Sequence, residues 1–365
     1  MYYLLNKDDI IASFNIKGTG NLEYIEMVSV DKTKVPFWIT DLYTFISNRK
    51  APKHREHIEK LLKQCNCDTL SGYINVSHAL SLNDTFWIKK DTQKDLCWDK
   101  VSLYKNKFNS TIARIAFDGG MYGEVFSSTS PEFSTNGTFA KCWVRENGII
   151  KLVKRGSSGA VNAGLEPYSE FYCSQILDAL GLNHVDYTLT SKENKLASKC
   201  KLFTSEELGL IPYSAISKNG NLGQIVNFYR EKGLYNYISS MLIADSIMFN
   251  EDRHLGNFGF IVGNKNGKIV DTAPLYDHNI ALLCYAMRDD FKDIYKYLYE
   301  LNKGPKLGGD FITIARELMT PEMKRKLFNM HGFKLKKHSR YNLEYWRIDS
   351  LNYYINKQIE LILKR

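Results

Sequence analysis

The feature that most constrains this chain is a polar octapeptide, NEDRHLGN at residues 250–257, which lies between two apolar segments. The segment before it, LYNYISSMLIADSIMF, predicts an apolar helix, and the segment after it, FGFIV, predicts a strand. Buried polar groups are costly unless they are paired. The fold must therefore pair or use a dense group of polar side chains at a helix-to-strand junction.

Three residues at and after this junction have the spacing of a phosphoryl-transfer site. That reaction needs a carboxylate to orient and deprotonate the attacking hydroxyl, and an Asn and a second carboxylate to hold magnesium on the phosphates. Asp252 and Asn257 have the spacing of a kinase catalytic loop, and Asp277 follows a hairpin predicted for FGFIVGNKNGKIV. Singly, the three residues also fit a helix cap, a turn and a surface acid. Together they favour phosphoryl transfer.

Two neighbours of this set are predicted to support the loop and not to react. His254 is interpreted as a hydrogen-bonding residue that shapes the loop, because Asp252 already fills the role of base. Asp245 lies on the otherwise apolar helix and must be paired if it is buried. We expect it to brace the catalytic loop.

A kinase also needs a cation on the nucleotide phosphates and a carboxylate that positions this cation. Lys154, in the predicted strand IIKLVKRG, and Glu170, near the start of a predicted helix, are the natural pair. Lys151 lies on the same strand, but three residues away, so the two lysines face opposite sides of it. Lys154 is preferred.

A turn before the strand KCWVR is a candidate phosphate-covering segment. A plain β-turn predicts the same residues, and the sequence has no GxGxxG loop. The candidate residues are Ser134, Thr135, Asn136 and Gly137.

The hydrophobic pattern predicts an α+β fold with a β-rich lobe followed by a helical one. We divide the chain into an N-terminal accessory module (1–85), a kinase N-lobe (86–203) and a helical C-lobe (204–365). The strands expected in the N-lobe are FWI, ARIAF, FAKCWVR, IIKLVK and DYTLT. The helices expected are at 53–64, at 167–180 with Gly181 as the stop, and at LYNYISSMLIADSIMF, DIYKYLYELN, ITIARELM and IDSLNYYINKQIELILKR.

Composition narrows the class of protein. A chain of 365 residues with 44% hydrophobic residues can bury a core, and the sequence predicts neither a leader nor a membrane span, so the cytoplasm is the expected compartment. Seven scattered cysteines fit reduced thiols. The net charge is +9, and residues 321–340 carry seven Lys and Arg residues against the single acid Glu322. A solvated surface and an anion-binding patch both fit that segment.

The order of these motifs resembles that of the HipA-like bacterial serine/threonine kinases, whose fold is related to eukaryotic protein kinases and phosphatidylinositol 3/4-kinases. The matching segments are STNGTFAK (phosphate loop), IIKLVKRG (lysine strand), EPYSEFYCSQILDALGL (glutamate helix), NEDRHLGN (catalytic loop) and PLYD (metal motif), with VPFWITDLYTFISNRKAP and ALSLNDTFWI before them.

This resemblance implies an ATP- and Mg²⁺-dependent serine/threonine protein kinase and assigns its residues. Asp252 would be the catalytic base, Asn257 and Asp277 the magnesium ligands, and Lys154 the residue on the phosphates. It also implies an adenine hinge from Cys200 to Phe203. Ser134 matches the place of an autophosphorylated serine whose phosphate displaces the loop by repulsion from ATP.

The resemblance further implies a protein substrate, a growth-inhibiting toxin and a DNA-binding antitoxin partner. Two other functions remain open. One is a nucleic-acid-binding regulator with a degenerate kinase fold, which would use residues 321–340 and the helix within 49–63. The other is a small-molecule or lipid kinase, because the DRHLGN sequence is closer to the corresponding motif of lipid kinases. Direct nucleic-acid binding is not favoured, and no membrane partner is expected.

Overall fold

The computed structural model describes residues 1–65, 67–120, 129–218 and 220–364. Its strands are β1 (Tyr2–Asn6), β2 (Asp9–Lys17), β3 (Tyr24–Val30), β4 (Phe86–Lys90), β5 (Lys141–Glu146), β6 (Ile149–Arg155), β7 (Tyr187–Lys192), β8 (Lys195–Lys201), β9 (Leu208–Pro212), β10 (Gly259–Gly263) and β11 (Ile269–Thr272). Its helices are α1 (Leu42–Arg49), α2 (Ile58–Gln64), α3 (Leu70–Ser77), α4 (Trp98–Val101), α5 (Ser110–Asp118), α6 (Glu166–Ala179), α7 (Tyr213–Ile216), α8 (Leu222–Glu231), α9 (Tyr235–Met248), α10 (Ile294–Glu300), α11 (Phe311–Glu317), α12 (Pro321–Asn329) and α13 (Tyr345–Leu363).

The chain divides into two compact units, and each is assembled from separate stretches of sequence. The first unit contains Met1–Lys154, Lys201–Ile211 and Phe260–Asp271, and the second contains Arg155–Cys200, Pro212–Gly259 and Thr272–Arg365. The first unit contains most of the strands, and the second unit contains most of the helices. The predicted α+β class is therefore confirmed. The division into modules at 1–85, 86–203 and 204–365 stays a prediction.

The first unit is built on an antiparallel sheet with the strand order β3-β2-β1-β4. Strand β4 pairs with β1 over its whole length, from Tyr2 opposite Lys90 to Asn6 opposite Phe86. Alternate residues of β1 and β4 therefore share one face, and Leu4 and Ile88 join a buried core with residues of α1, α2, α3 and α5. The strand predicted at FWI thus completes the sheet of the N-terminal segment.

Two local predictions in this unit are wrong. ARIAF was expected to be a strand but lies in helix α5, which is capped by Asn109: its side chain accepts hydrogen bonds from the backbone N–H groups of Thr111 and Ile112. Ile112, Ile115 and Ala116 then fall on one buried helical face. The helix expected at 53–64 begins only at Ile58, because His57 has a left-handed backbone with φ of +66°.

The remaining strands of the first unit belong to two other sheets. Strands β5 and β6 pair as predicted for FAKCWVR and IIKLVK, with Lys141 opposite Lys154. The predicted hairpin after the catalytic loop forms as β10 and β11 and is joined by β9 in the order β11-β10-β9. Gly267 in its turn has a φ of +63°, a conformation that favours glycine.

The second unit is organised around helix α9, which forms where LYNYISSMLIADSIMF predicted it. Every residue from Met241 to Met248 is buried, and α9 contacts α6, α8, α11 and α13. A helix that is apolar on all sides needs such an environment. The helices expected at 167–180 and in the three C-terminal segments also form, as α6, α10, α11 and α13. The DYTLT strand forms as part of β7, which pairs with β8.

No helix in the described part of the chain has both the length and the apolar character needed to cross a bilayer.

Arg49 joins separate parts of the first unit and generates a stability prediction. Its guanidinium is buried, bonds both carboxylate oxygens of Asp84 at 2.6 and 2.9 Å, and donates to the carbonyls of Ala79 and Phe86. We expect Arg49→Met to lower the free energy of unfolding by about 3–5 kcal/mol, because Asp84 is left without its countercharge. Urea unfolding followed by circular dichroism measures this loss.

Lys63→Met is the matched control, since Lys63 forms an exposed ion pair with Glu59. We expect its unfolding midpoint to match that of the wild type. Equal midpoints for Arg49→Met and Lys63→Met would contradict the prediction.

Candidate active site

The catalytic-loop segment begins where α9 ends. Phe249 has a φ of +51° and turns the chain away from the helix axis. Asn250 then bonds back to Asp245 twice, through its backbone N–H to the Asp245 carbonyl (2.9 Å) and through Nδ2 to Oδ1 (2.8 Å). Its own Oδ1 accepts from the backbone N–H of Asp252 at 3.2 Å. The backbone of Asp252 is thus held at a defined distance from the buried helix.

Arg253 is the buried centre of this loop, with 1% of its surface exposed. Its Nε and Nη2 bond the two carboxylate oxygens of Asp245 at 2.8 and 2.9 Å. Its Nη1 donates to the carbonyl oxygens of Asn257 (2.7 Å) and Tyr276 (2.9 Å). Burial lowers the pKa of the Arg253 guanidinium, but Asp245 outweighs that effect and leaves the pKa above its ordinary value.

One nitrogen of Arg253 therefore joins the loop of Asp252 and Asn257 to the segment of Asp277. A second bond between these segments runs from the Tyr276 hydroxyl to the Gly256 carbonyl at 2.8 Å. Asp277 has a φ of +61°, a left-handed conformation that Asp tolerates better than most residues. These contacts bring together the segments that carry the predicted base and metal ligands, which are 20 residues or more apart along the chain.

The donor set of these two segments suits Mg²⁺. Magnesium prefers oxygen ligands, often one or two carboxylates together with substrate phosphates. Asn257 is buried and its Nδ2 donates to the Asp252 carbonyl at 3.4 Å, so its Oδ1 is the amide atom that a cation can use. Asp277 supplies a carboxylate. Asn257 and Asp277 would hold the ion.

His254 shapes the loop through its ring. Its Nδ1 accepts a hydrogen bond from the backbone N–H of Gly256 at 3.0 Å. Burial lowers the pKa of His254, while the carboxylates of Asp252 and Asp277 oppose that shift. A neutral ring is consistent with its role as an acceptor at Nδ1.

Sequence reasoning missed two lysines that reach this loop from the segment between α10 and α11. Lys306 Nζ lies 2.5 Å from Oδ1 of Asp252, and Lys303 Nζ lies 2.7 Å from Oε2 of Glu251. Lys303, Lys306 and Gly309 also line an open cavity of about 650 Å³. The only signal in the sequence is a Gly- and Pro-rich turn carrying two lysines, NKGPKLGG, which is typical of many loops.

Glu170 and Cys200, the first residue of the predicted hinge, lie in the second unit. Glu170, on α6, has 1% of its surface exposed, and its Oε2 accepts a hydrogen bond from the Ser198 hydroxyl on β8. Cys200 is buried at the end of β8, and the division between the two units falls directly after it. Phe203 belongs to the first unit. The roles of Cys200 and Phe203 in binding adenine stay predictions.

The two lysines of strand β6 differ in their surroundings. Lys154 has 4% of its surface exposed and lies opposite the equally buried Lys141 on β5. Lys151 is more exposed and forms an ion pair with Glu146 at 2.8 Å. Lys154 and Lys141 therefore put two buried cations on one face of the hairpin, and Lys151 lies on the other face.

The candidate phosphate loop follows a short 3-10 helix, Pro131–Ser134. Ser134 is buried, and its Oγ and that of Thr135 donate to the Pro131 carbonyl at 3.3 and 2.7 Å. Lys141 Nζ donates to the Asn136 carbonyl at 2.8 Å. Gly137 has a φ of +98°, and a Cβ there would collide with Nζ of Lys141.

A second buried cation holds this turn. Arg55 donates to the carbonyls of Thr135 (2.7 Å) and Glu132 (3.0 Å), and burial lowers its pKa to about 10. Neither Arg55 nor Lys141 was singled out from the sequence, because each acts on main-chain atoms that a motif does not display. Both contacts favour one conformation of residues 132–137.

Comparisons with known proteins agree with the predicted kinase fold. No family model matches the chain. It is 29% identical over 139 residues to the serine/threonine-protein kinase CtkA of Helicobacter pylori, a match that covers 34% of this chain and 42% of that relative. The crystal structure of CtkA matches 61% of this chain and 92% of its own, with 16% identity and a TM-score of 0.46.

A second solved structure matches almost the whole chain. The matched chain belongs to the complex of HipA, HipB and operator DNA from the toxin-antitoxin system of Shewanella oneidensis. The match covers 99% of this chain and 96% of the matched chain, with 11% identity and a TM-score of 0.53. The chain therefore shares the fold of that HipA structure, and the predicted kinase-like α+β fold class is confirmed. The resemblance to the HipA-like bacterial serine/threonine kinases is confirmed.

The Arg253–Asp245 pair generates the prediction for this site. Asp245→Asn removes the countercharge of a buried guanidinium, so we expect a loss of about 3–5 kcal/mol in the free energy of unfolding. Urea unfolding measures the loss. Asp349→Asn, at an exposed position of α13, is the control and should leave the midpoint unchanged. A wild-type midpoint for Asp245→Asn would contradict this interpretation.

Proposed function

We propose that this protein is an ATP- and Mg²⁺-dependent serine/threonine protein kinase of the HipA-like type. The observation that carries the proposal is the junction made by Arg253, which joins the Asp252–Asn257 loop to the segment of Asp277 through a single guanidinium nitrogen. Phosphoryl transfer depends mainly on positioning and charge stabilisation, so a base and two oxygen ligands on a rigid support are its main requirement.

In the proposed reaction Asp252 orients the serine or threonine hydroxyl and accepts its proton. The hydroxyl oxygen bonds to the γ-phosphorus, the bond from that phosphorus to the β-γ bridging oxygen breaks, and ADP leaves. Bound Mg²⁺ neutralises charge on the phosphates. We assign Asn257 and Asp277 as its ligands. Lys306, paired with Asp252 at 2.5 Å, is assigned as a further cation beside the acceptor.

From the first unit we assign Lys154 to the ATP phosphates, and the turn at residues 134–137 to covering them. Glu170 is proposed to position the Lys154 ammonium group. The segment from Cys200 to Phe203 is proposed to bind adenine. The burial of Lys154 on the face that it shares with Lys141 supports its assignment over the more exposed Lys151.

Autophosphorylation of Ser134 is the regulatory part of the proposal. The Ser134 hydroxyl is buried and bonded to Pro131, so a phosphate there could not keep the present position of the residue. The phosphate would add about two negative charges to the turn, and these charges would repel ATP. A role as a toxin with a DNA-binding antitoxin is supported by the HipA, HipB and operator DNA complex that shares this fold.

An alternative function differs from the proposed one in the class of molecule that accepts the phosphate. The sequence of residues 252–257, DRHLGN, also fits a small-molecule or lipid kinase. In such a kinase the cavity lined by Lys303 and Lys306 would bind an anionic acceptor. A small-molecule kinase would leave protein serines unmodified. Phosphorylation of protein therefore distinguishes the two classes of acceptor.

Replacing the proposed base tests the reaction. We expect the wild type, incubated with ATP and Mg²⁺, to acquire phosphoserine detectable by mass spectrometry, with Ser134 the expected position. Asp252→Ala should lower the rate by about 10²–10⁴-fold, because general-base catalysis contributes that much. ATP affinity, measured by calorimetry, should stay close to that of the wild type.

Asp289→Ala is the matched control, because Asp289 forms an ion pair with Lys292 on an exposed surface. It should retain full phosphorylation. Turnover by Asp252→Ala at the wild-type rate would overturn the assignment of the base. Absence of phosphate on the wild type, with ATP binding retained, would favour the small-molecule rival.

Comparing the two lysines of β6 tests the nucleotide assignment. We expect Lys154→Ala to lower kcat/KM for ATP by about 10²-fold or more, the usual effect of removing one electrostatic contact to the transition state. Lys151→Ala, the control on the same strand, should change it little. Steady-state kinetics over a range of ATP concentrations gives both values. The reverse order would move the assignment to Lys151.

A further inference from the structure

A cluster of one histidine and two aspartates lies outside the residues assigned to phosphoryl transfer. Helix α6 is followed by Gly181 in the left-handed region (φ of +57°), and the loop after it leads into β7. His184 Nε2 lies 3.3 Å from Oδ1 of Asp186 and 3.7 Å from Oδ1 of Asp178. The three ligand atoms all lie within 4.8 Å of one another.

The histidine is held with its free nitrogen facing the carboxylates. His184 Nδ1 lies 2.8 Å from the Leu182 carbonyl, which accepts only, so Nδ1 carries the proton. The side chain is 6% exposed, and its Nε2 is buried and has no hydrogen-bond partner. In the neutral ring Nε2 carries a lone pair. Three ligand atoms therefore converge on a space that a cation can occupy.

The distances favour a metal ion over a proton shared between these atoms. A charge-assisted N–H···O bond has its heavy atoms about 2.7–2.9 Å apart, which is shorter than both separations here. A tetrahedral ion with bonds of about 2.0–2.2 Å separates its ligand atoms by about 3.3–3.6 Å. The observed 3.3 Å falls in this range, and the observed 3.7 Å lies just above it. The backbone carbonyl on Nδ1 is also the usual outer partner of a metal-bound histidine.

We propose that Asp178, His184 and Asp186 bind a divalent transition-metal ion, with Zn²⁺ as the representative. One imidazole nitrogen with two carboxylates favours Zn²⁺ over Mg²⁺ or Ca²⁺, which prefer oxygen ligands alone. The side chains of Asp178 and Asp186 are 68% and 89% exposed, so the ion has access from solvent and water can complete its coordination.

The surroundings favour a cation at this position. Asp178 lies in the last turn of α6, where the helix dipole is negative. Lys326 also reaches this loop, with its Nζ 3.5 Å from the Gly181 carbonyl. That lysine is also paired with Glu322 at 3.0 Å.

An ion here would brace the segment that carries Asp277. The loop pairs with that segment through Val185 N–H to the Leu275 carbonyl and Leu275 N–H to the Asn183 carbonyl, both at 2.9 Å. The Tyr187 hydroxyl also accepts from the backbone N–H of Asp277 at 3.3 Å. The ion would tie the end of α6 to the start of β7, and the inference stands whether or not the protein is a kinase.

Zinc titration of the full chain tests this inference. The protein is stripped with EDTA and titrated with ZnCl₂ by calorimetry in a buffer that does not chelate metals. We expect saturable Zn²⁺ binding that raises the Tm. Asp178→Asn, Asp186→Asn and His184→Gln should each raise the Kd by about ten-fold or more, since loss even of an outer-shell partner costs 10–100-fold.

Matched controls are Asp349→Asn and His331→Gln, both at exposed positions of the second unit, and both should bind Zn²⁺ like the wild type. The two Asp variants decide the question even if His184→Gln fails to fold, because their carboxylates are exposed. Absence of Zn²⁺ binding to the wild type would overturn the inference. So would an unchanged Kd in both Asp variants, and a thiolate charge-transfer band on Co²⁺ substitution would then assign the ion to cysteine.

Discussion

The ion pair between Arg253 and Asp245 is the interaction on which the candidate site depends. Both side chains are buried, so neither charge would be tolerated without the other. The pair fixes the guanidinium against the central helix, and the nitrogen that remains then reaches the carbonyls of Asn257 and Tyr276. A rigid, apolar helix thereby sets the position of a polar loop and of the segment carrying Asp277.

The same device recurs in the first unit. Arg49 is bonded to Asp84 and to two carbonyl groups, and Arg55 to the carbonyls of Glu132 and Thr135. In each case a planar cation with five donors links stretches of chain that are far apart in sequence. Such links act on main-chain oxygens and leave no recognisable motif. Arg55 bonds the turn around Ser134, as Arg253 bonds the catalytic loop.

Sequence patterns predicted elements best where one physical signal was strong. The apolar run before NEDRHLGN predicted α9, and a proline at the start and a glycine after the end predicted α6. ARIAF was assigned to a strand because a short apolar run does not by itself distinguish strand from helix, and the cap at Asn109 decided the outcome. Lys306 was missed because its partner, Asp252, lies 54 residues away.

The sequence by itself determined the α+β class, the order of the kinase-like motifs and the candidate base, metal ligands and nucleotide lysine, because local spacing and residue chemistry carry that information. The tertiary structure decided which of these segments meet. The left-handed backbone of Phe249 and Asp277, the pairing of β4 with β1, and the convergence of Asp178, His184 and Asp186 all depend on contacts between distant residues. Local sequence patterns do not reveal such contacts, because the residues that make them are far apart along the chain and meet only when it folds.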